Sequence, residues 1–155
     1  MLTCVPESGN WNFDITGTSS DPARITLEPD DCGTILLGGS EFAVRTLYDQ
    51  SWELKARGEL VATAWKSSGI SPIGWRPSFE VQAGALVITL QTQRLSSLQY
   101  DILVSSNTVG SISRKGRWFP KWPAFVECPS EVPELVQLFC FWLAMQSWRE
   151  KGSGY

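Results

Sequence analysis

The chain has 155 residues, a formal net charge of −3 and 43% hydrophobic residues, and it contains no histidine. Its length and apolar content exclude a disordered chain and predict one domain, residues 1–155, with a sizeable core. The lack of histidine excludes Ser-His-Asp triads, Cys-His dyads and histidine metal sites, and the negative charge gives no general attraction to nucleic acid, which we do not expect as a partner.

The four cysteines, Cys4, Cys32, Cys128 and Cys140, show no C-x-x-C spacing. Because that spacing is typical of zinc and redox sites, we predict free thiols, no metal and no cofactor. The first residues also lack a basic region followed by an apolar one, which predicts a cytoplasmic protein.

Short runs that alternate apolar and polar residues predict β-strands from about residue 11 to 127. Residues 1–10 are predicted to be an irregular lead-in. The predicted strands of the first half are 11–15, 23–28, 34–37, 42–48, 51–57 and 59–66, with a hairpin turn at Asp49-Gln50. Residues 67–77 contain two glycines and two prolines, and we predict a loop there, over one mouth of the sheet.

The second half continues the same pattern, with turns at 83–84 and 105–108. Its predicted strands are 78–82, 85–91, 98–104, 109–114 and 124–127. Parallel strands need crossover helices, and no helical period separates these runs, so the ten or eleven strands are predicted to be antiparallel. A sheet of this size is expected to close, because closure removes its exposed edges.

Residues 131–150 predict one helix, with Ser130 as its N-cap, Pro133 in its first turn and Gly152 after its end. Its middle is apolar on every side, and its predicted core residues are Leu138, Phe139, Phe141, Trp142, Leu143 and Met145. Such a helix must be surrounded by its own chain, by a second copy at an oligomer interface or by lipid, and the apolar run of about eight residues is short for a membrane span, which favours its own chain. We therefore predict a mainly β protein, a closed antiparallel β-barrel wrapped around a central hydrophobic α-helix.

An alternative is a barrel of the lipocalin type, in which the helix packs outside and the interior binds a small hydrophobic ligand. An external helix needs a polar face toward water, and this helix has none. The pattern therefore favours the enclosed helix.

The segment 114–122 combines basic and aromatic residues and is the predicted site for anionic lipid. Its candidate residues are Arg114, Lys115, Arg117, Trp118, Lys121 and Trp122. Basic side chains bind anionic headgroups, and tryptophan favours the membrane interface. The structural alternative is a loop that closes one barrel mouth, with its aromatic residues packed on the helix and its cations in solvent.

Motifs for catalysis are missing from the sequence. It has no P-loop, no G-x-G-x-x-G and no G-x-S-x-G. Three acidic residues of the predicted strands, Asp14, Glu53 and Glu80, occupy positions that alternate outward, where carboxylates are solvated. We therefore predict a protein that is not an enzyme.

Roughly residues 75 to 150 resemble the Tubby C-terminal-like superfamily, at its LURP-one-related and phospholipid scramblase end. The resemblance lies in Tyr100-Asp101-Ile102, the run 109–115, Arg117-Trp118-Phe119-Pro120, Phe125-Val126-Glu127 and the helix from Pro133-Glu134-Leu135. It implies a barrel around a central helix, without catalysis, associated with membranes or phosphoinositides. The predicted function is a binding or scaffold module at the surface of an anionic membrane, and the alternative is a protein-interaction module that binds no lipid.

Overall fold

The computed structural model describes residues 1–7, 11–48, 50–71, 74–92, 99–116 and 122–152. They form twelve β-strands and one α-helix. The strands are β1 (Leu2–Pro6), β2 (Asn12–Thr16), β3 (Ala23–Leu27), β4 (Gly33–Leu37), β5 (Ser40–Thr46), β6 (Ser51–Ala56), β7 (Glu59–Ser71), β8 (Gly74–Ala83), β9 (Leu86–Thr92), β10 (Gln99–Val104), β11 (Asn107–Arg114) and β12 (Ala124–Glu127), and the helix is α1 (Glu134–Gly152).

The twelve strands form a closed antiparallel barrel in which each strand pairs with its neighbours in the sequence. Closure depends on β1, which pairs with β2 on one side and with β12 on the other, where Cys4 lies opposite Ala124. The prediction of an irregular lead-in was therefore wrong. Only Leu2 and Cys4 point into the core along β1, and two inward positions are too few to establish a period of two.

The predicted loop over residues 67–77 is also wrong. β7 and β8 remain paired as far as Ser71 opposite Gly74, and Pro77 lies opposite Ser68 within the ladder. The hydroxyl groups of Ser67 and Ser78 lie 2.7 Å apart across the two strands. The glycines and prolines were interpreted as breaks, but strand pairing tolerates them in this hairpin.

The turn between β10 and β11 is shorter than the predicted one at 105–108. It consists of Ser105 and Ser106, with φ angles of 51° and 66°. Positive φ at both central residues is the geometry of the two-residue hairpin turn whose twist matches that of the flanking strands. The sequence obscured this turn, because serine is less typical of positive φ than glycine or asparagine.

Helix α1 begins at Glu134, three residues after the predicted start. A residue before proline is disfavoured in the helical region, so Val132 does not continue a helix into Pro133. The first helical hydrogen bond runs instead from the Gln137 N–H to the Pro133 carbonyl at 3.0 Å, and the Gln137 side chain donates to the Val132 carbonyl. The predicted N-cap at Ser130 is therefore wrong, and the helix continues two residues past the predicted end at 150, so that Gly152 is its last residue.

The predicted core residues of α1 are buried without exception. Each of the following has a relative exposure of 0%: Leu138, Phe139, Phe141, Trp142, Leu143 and Met145. Aromatic side chains from three strands contact the helix, with ring centroids 5.4 Å apart for Phe13 of β2 and Phe141, 6.4 Å for Trp52 of β6 and Trp142, and 6.0 Å for Tyr100 of β10 and Trp148. The helix therefore packs against strands that are four places apart in the barrel order.

The barrel has two different ends, which we name by their connections. The tight-turn end carries residues 17–22 and the turns 38–39, 57–58, 84–85 and 105–106, and α1 begins there, where the Glu134 carboxylate accepts the Ser19 N–H at 2.9 Å. The other end, called the cavity end, carries the connections 28–32 and 47–50. Helix α1 finishes there, where Arg149 donates to the Glu28 carbonyl and to Asp31. Among the described helices, none has the length and apolar character that a membrane crossing requires.

Candidate functional site

A cavity of about 320 Å³ lies at the cavity end, between the last turns of α1 and the rim of the barrel. Two strand connections, 28–32 and 47–50, meet at this point because the strands are antiparallel and every second connection falls at the same end. Its walls come from the connections and strand ends (Asp31, Thr46, Gln50), from β6 and β7 (Trp52, Lys66) and from α1 (Gln146, Glu150). This is the size of a site for a small molecule.

Charged groups at this cavity are paired with opposite charges. Lys66 Nζ lies 3.3 Å from a Glu150 carboxylate oxygen, and the Arg149 guanidinium binds Asp31. The Thr46 hydroxyl donates to the Asp31 carbonyl at 2.8 Å, which holds that turn in place. The described rim therefore presents polar groups whose charges balance one another.

Two buried polar atoms of the cavity residues lack partners. They are the indole Nε1 of Trp52 and the amide Oε1 of Gln146, and neither has a hydrogen-bond partner among the described residues. Trp52 is 3% exposed and Gln146 is 1% exposed. The Gln146 amide nitrogen donates to the Glu150 carboxylate at 2.9 Å, which requires an N–H and so identifies the other amide atom as the acceptor. Two residues that line the cavity therefore each bury one polar atom that the described residues leave without a partner.

A second cavity, of about 390 Å³, lies along the start of β4 and the end of β5. Among the described residues, none of those that line it has an unpartnered buried polar side-chain atom. The first cavity is therefore the stronger candidate for a specific ligand.

Of the six residues predicted to bind lipid, three lie among the described residues. Arg117, Trp118 and Lys121 lie outside the described residues. Arg114 is at the end of β11, and its guanidinium carbon lies 5.1 Å from the Trp148 ring centre, in a cation–π contact. Burial lowers the pKa of Arg114, and the nearby Tyr100 acts in the opposite direction. Arg114 is therefore bound to the end of α1, which sequence reasoning did not predict.

Lys115 and Trp122 are both exposed at the cavity end. The Lys115 N–H donates to the Pro123 carbonyl at 3.2 Å, which ties the two sides of this connection together. Trp122 is 42% exposed, and its ring lies over Gly116, where a Cβ would come within 2.7 Å of the indole. The described part of the segment thus presents one cation and one large aromatic ring to solvent, side by side.

Tyr48 is a candidate that sequence reasoning missed. It lies between β5 and β6 and is 82% exposed, next to Leu47 at 44%. The connection between β5 and β6 and that between β11 and β12 are six places apart in a barrel of twelve strands, so Tyr48 and Trp122 lie on opposite sides of the same rim. An aromatic residue followed by Asp-Gln between two alternating runs was the available signal, but Tyr48 was interpreted as the end of a strand.

Burial disfavours the reactive thiolate form of three of the four cysteines, Cys4, Cys128 and Cys140. All four cysteines are free, and Cys4 and Cys140 are buried. Burial raises the pKa of both thiols, and it raises that of Cys128 to about 11 with help from Glu131. A high pKa keeps a thiol protonated and unreactive at neutral pH. The described residues also contain no group of His, Cys, Asp and Glu placed to hold a metal ion.

Comparison of the chain with protein-family models, with curated proteins and with solved structures found no significant match.

Proposed function

We propose that α1 occupies the interior of the barrel. The support is the burial of its side chains on every face, together with its aromatic contacts to β2, β6 and β10, which divide the twelve strands into equal thirds. The Trp142 indole N–H also donates to the Thr26 carbonyl of β3 at 3.1 Å. A helix on the outside of the sheet would contact neighbouring strands and would leave one face in water.

An occupied interior argues against a lipocalin-type function. The inward residues of the strands are then covered by α1, so no large apolar space is left for a hydrophobic ligand. It also agrees with the sequence resemblance to the Tubby C-terminal-like superfamily, and we propose membership of that group. The closed antiparallel barrel with one C-terminal helix is the feature of the fold that supports the proposal.

We infer that the protein is a non-enzymatic binding module whose cavity end docks on an anionic membrane surface. The observation that carries this proposal is the exposed pair of Lys115 and Trp122 on one side of the rim, with the exposed Tyr48 on the opposite side. Tryptophan and tyrosine favour the interface between headgroups and acyl chains, and lysine is attracted to anionic headgroups. Two aromatic anchors on opposite sides allow the barrel to dock end-on.

In this proposal Arg114 has a structural role, although its position in the sequence predicted contact with lipid. Its guanidinium packs on Trp148 at the end of α1. It therefore positions the start of the 115–123 connection, and of the two described cations of the segment, Lys115 is the one that contacts lipid. The cytoplasmic leaflet, which is rich in anionic lipid, is the surface that this arrangement fits, and free thiols are typical of the same compartment.

Sedimentation with lipid vesicles tests the proposal. We expect retention on phosphatidylserine–phosphatidylcholine vesicles at low salt and little retention on phosphatidylcholine alone. Lys115→Gln removes one cation near the surface, which is worth about 1 kcal/mol, so retention is expected to fall about fivefold. Trp122→Ser is expected to weaken retention on the phosphatidylserine–phosphatidylcholine vesicles, because it removes the aromatic anchor.

Matched controls come from the tight-turn end. Lys55 lies near that end of β6 and pairs with Glu53, and Leu60 is 59% exposed on β7. Lys55→Gln makes the same change there, and Leu60→Ser likewise replaces a large exposed apolar side chain by serine, and both are expected to leave retention unchanged. The proposal is wrong if the controls lower retention as much as the test variants, or if the test variants have no effect.

A further inference from the structure

The connection between β11 and β12 is tied down at its base. The Arg114 guanidinium carbon lies 5.1 Å from the Trp148 ring centre of α1, so the end of β11 is held on the helix. The next residue, Lys115, donates its N–H to the Pro123 carbonyl at 3.2 Å. The base of the connection is therefore tied both to α1 and across its own two sides.

Gly116 and Trp122 are in contact next to this base. A Cβ placed on Gly116 would lie 2.7 Å from Cδ1 of the Trp122 indole and 3.0 Å from its Nε1. Real Cβ atoms essentially never approach another atom so closely, so no side chain fits at position 116 while the ring keeps its place. The φ angle of Gly116 is not positive, so the reason for a glycine here is the ring and not the backbone conformation.

This contact orders a side chain that is largely in solvent. Trp122 is 42% exposed. An exposed side chain is free to change its rotamer, and binding that fixes it costs conformational entropy. The Trp122 ring instead lies against a backbone that carries no side chain, so it is held in one place before anything binds.

We propose that Gly116 is a positioning residue, which holds the Trp122 ring ready to enter the interface of an anionic membrane. This inference rests on the proposed docking of the cavity end and identifies what preorganises its aromatic anchor. Lys115 attracts anionic headgroups through its charge, whereas Gly116 acts only through Trp122. The effects of these two neighbouring residues are therefore separable.

Nuclear magnetic resonance of the isotope-labelled full chain tests the contact in solution, without lipid. The indole signals of Trp122 are identified by their absence in Trp122→Phe. We expect a nuclear Overhauser effect between the Trp122 Hδ1 proton and an α-proton of Gly116, because Cδ1 is the ring atom closest to the position of a Cβ. Gly116→Ala is expected to move the Trp122 signals, and Gly39→Ala, which adds a methyl group in open space, is expected to leave them in place.

Vesicle retention tests the role of the contact in docking. On phosphatidylserine–phosphatidylcholine vesicles, we expect Gly116→Ala to weaken retention about two- to tenfold, because a mobile ring has to be ordered on binding. Gly39→Ala, at the tight-turn end, is expected to have no effect. Since Gly116→Ala keeps Lys115, the dependence of retention on salt concentration is expected to stay the same, whereas Lys115→Gln reduces it.

A double variant separates positioning from a general structural effect. Once Trp122→Ser has removed the ring, Gly116→Ala has nothing left to position. The double variant is therefore expected to be retained as well as Trp122→Ser alone. Two independent contributions would add instead, and the double variant would then be retained about two- to tenfold less well than Trp122→Ser.

Thermal melting of each variant checks folding separately. The assignment is overturned if the nuclear Overhauser effect is missing, if Gly116→Ala is retained as well as the original chain, or if the effects of the two substitutions add. If the original chain is itself not retained on anionic vesicles, the docking proposal fails and this inference fails with it. Normal retention of both the original chain and Gly116→Ala refutes the positioning role alone.

Discussion

The two ends of the barrel differ in their turns, their buried polar groups and their exposed side chains. At the tight-turn end, Gly38, Gly58 and Gly84 have positive φ angles, as do Ser105 and Ser106, so each short turn has a residue that adopts the required geometry. At the cavity end, a donor and an acceptor are buried without described partners, and large aromatic residues are exposed. The short turns of one end thus use residues that suit their geometry, whereas the other end combines buried polar groups without described partners and exposed aromatic rings.

Features of this kind tend to occur where a protein binds something, because elsewhere they only reduce stability. The comparison indicates that the tight-turn end and α1 hold the barrel together, while the cavity end is available for function. Three changes test this division, and the largest effect is expected in the core that both ends share.

A charge in the middle of α1 should prevent folding. Leu143 is 0% exposed, and an unpaired buried carboxylate costs several kcal/mol against a total stability of roughly 5–15 kcal/mol. We expect Leu143→Asp to be insoluble or unfolded by circular dichroism. Leu60→Asp places the same charge on the outer face of β7 and should fold normally. A soluble Leu143→Asp protein with a cooperative melt would contradict a core built on α1.

The second change compares a glycine at each end. A Cβ at Gly33, at the cavity end, would overlap both the Thr26 carbonyl oxygen and Trp142 Nε1, and so would disturb the hydrogen bond between them. Overpacking of this kind costs about 1–3 kcal/mol, and the disturbed bond adds about 1 kcal/mol. We therefore expect Gly33→Ala to lower the free energy of unfolding by about 3 kcal/mol.

Gly39 is the matched control at the tight-turn end. No atom lies within 4 Å of a Cβ built there, so Gly39→Ala is expected to be neutral within about 0.5 kcal/mol. Urea unfolding at neutral pH measures both. Equal effects of the two substitutions would contradict the close approach of β3, β4 and α1 at Gly33.

Regular patterns made much of this fold predictable. Eleven of the strands had alternating runs between turn residues, and the apolar stretch 138–145 identified the core helix. The failures have local causes: β1 has only two inward residues, and the prolines of the β7–β8 hairpin imitate a loop. Each residue was judged from its neighbours in the sequence. That method finds strands and helices, but it does not find contacts between segments that are far apart in the sequence.

The candidate site was less predictable for the same reason. The basic and aromatic residues of 114–122 are adjacent in the sequence, so the segment was visible, although Arg114 turned out to contact Trp148. Trp52 of β6 and Gln146 of α1 line the same cavity, and only the packing of α1 against the barrel puts those segments together. Neither residue carries a local signal, since a tryptophan in a strand and a glutamine in a helix are both ordinary.

The smallest expected effect is at Tyr100, below the cavity end, and it depends on pH. Tyr100 is 0% exposed, and its hydroxyl donates to Ser147 Oγ of α1 at 2.8 Å. Burial raises its pKa from 10.0 to about 12, against smaller opposite effects of the Ser147 hydrogen bond and of Arg114. At neutral pH, Tyr100→Phe removes one buried hydrogen bond and is expected to lower the free energy of unfolding by about 1 kcal/mol.

At alkaline pH, the Tyr100→Phe protein is expected to become more stable than the original chain. An unfolded tyrosine ionises near pH 10, whereas folded Tyr100 does not ionise until about pH 12, so its contribution is complete below pH 10 and is lost as the pH rises toward 12. That loss reaches about 2–3 kcal/mol, and Tyr100→Phe avoids it. Cys4 and Cys140 also have raised pKa values, but they affect both proteins equally. Urea unfolding between about pH 8 and 12 should therefore show the two stability curves converging and then crossing, and parallel curves would mean that Tyr100 is not buried as described.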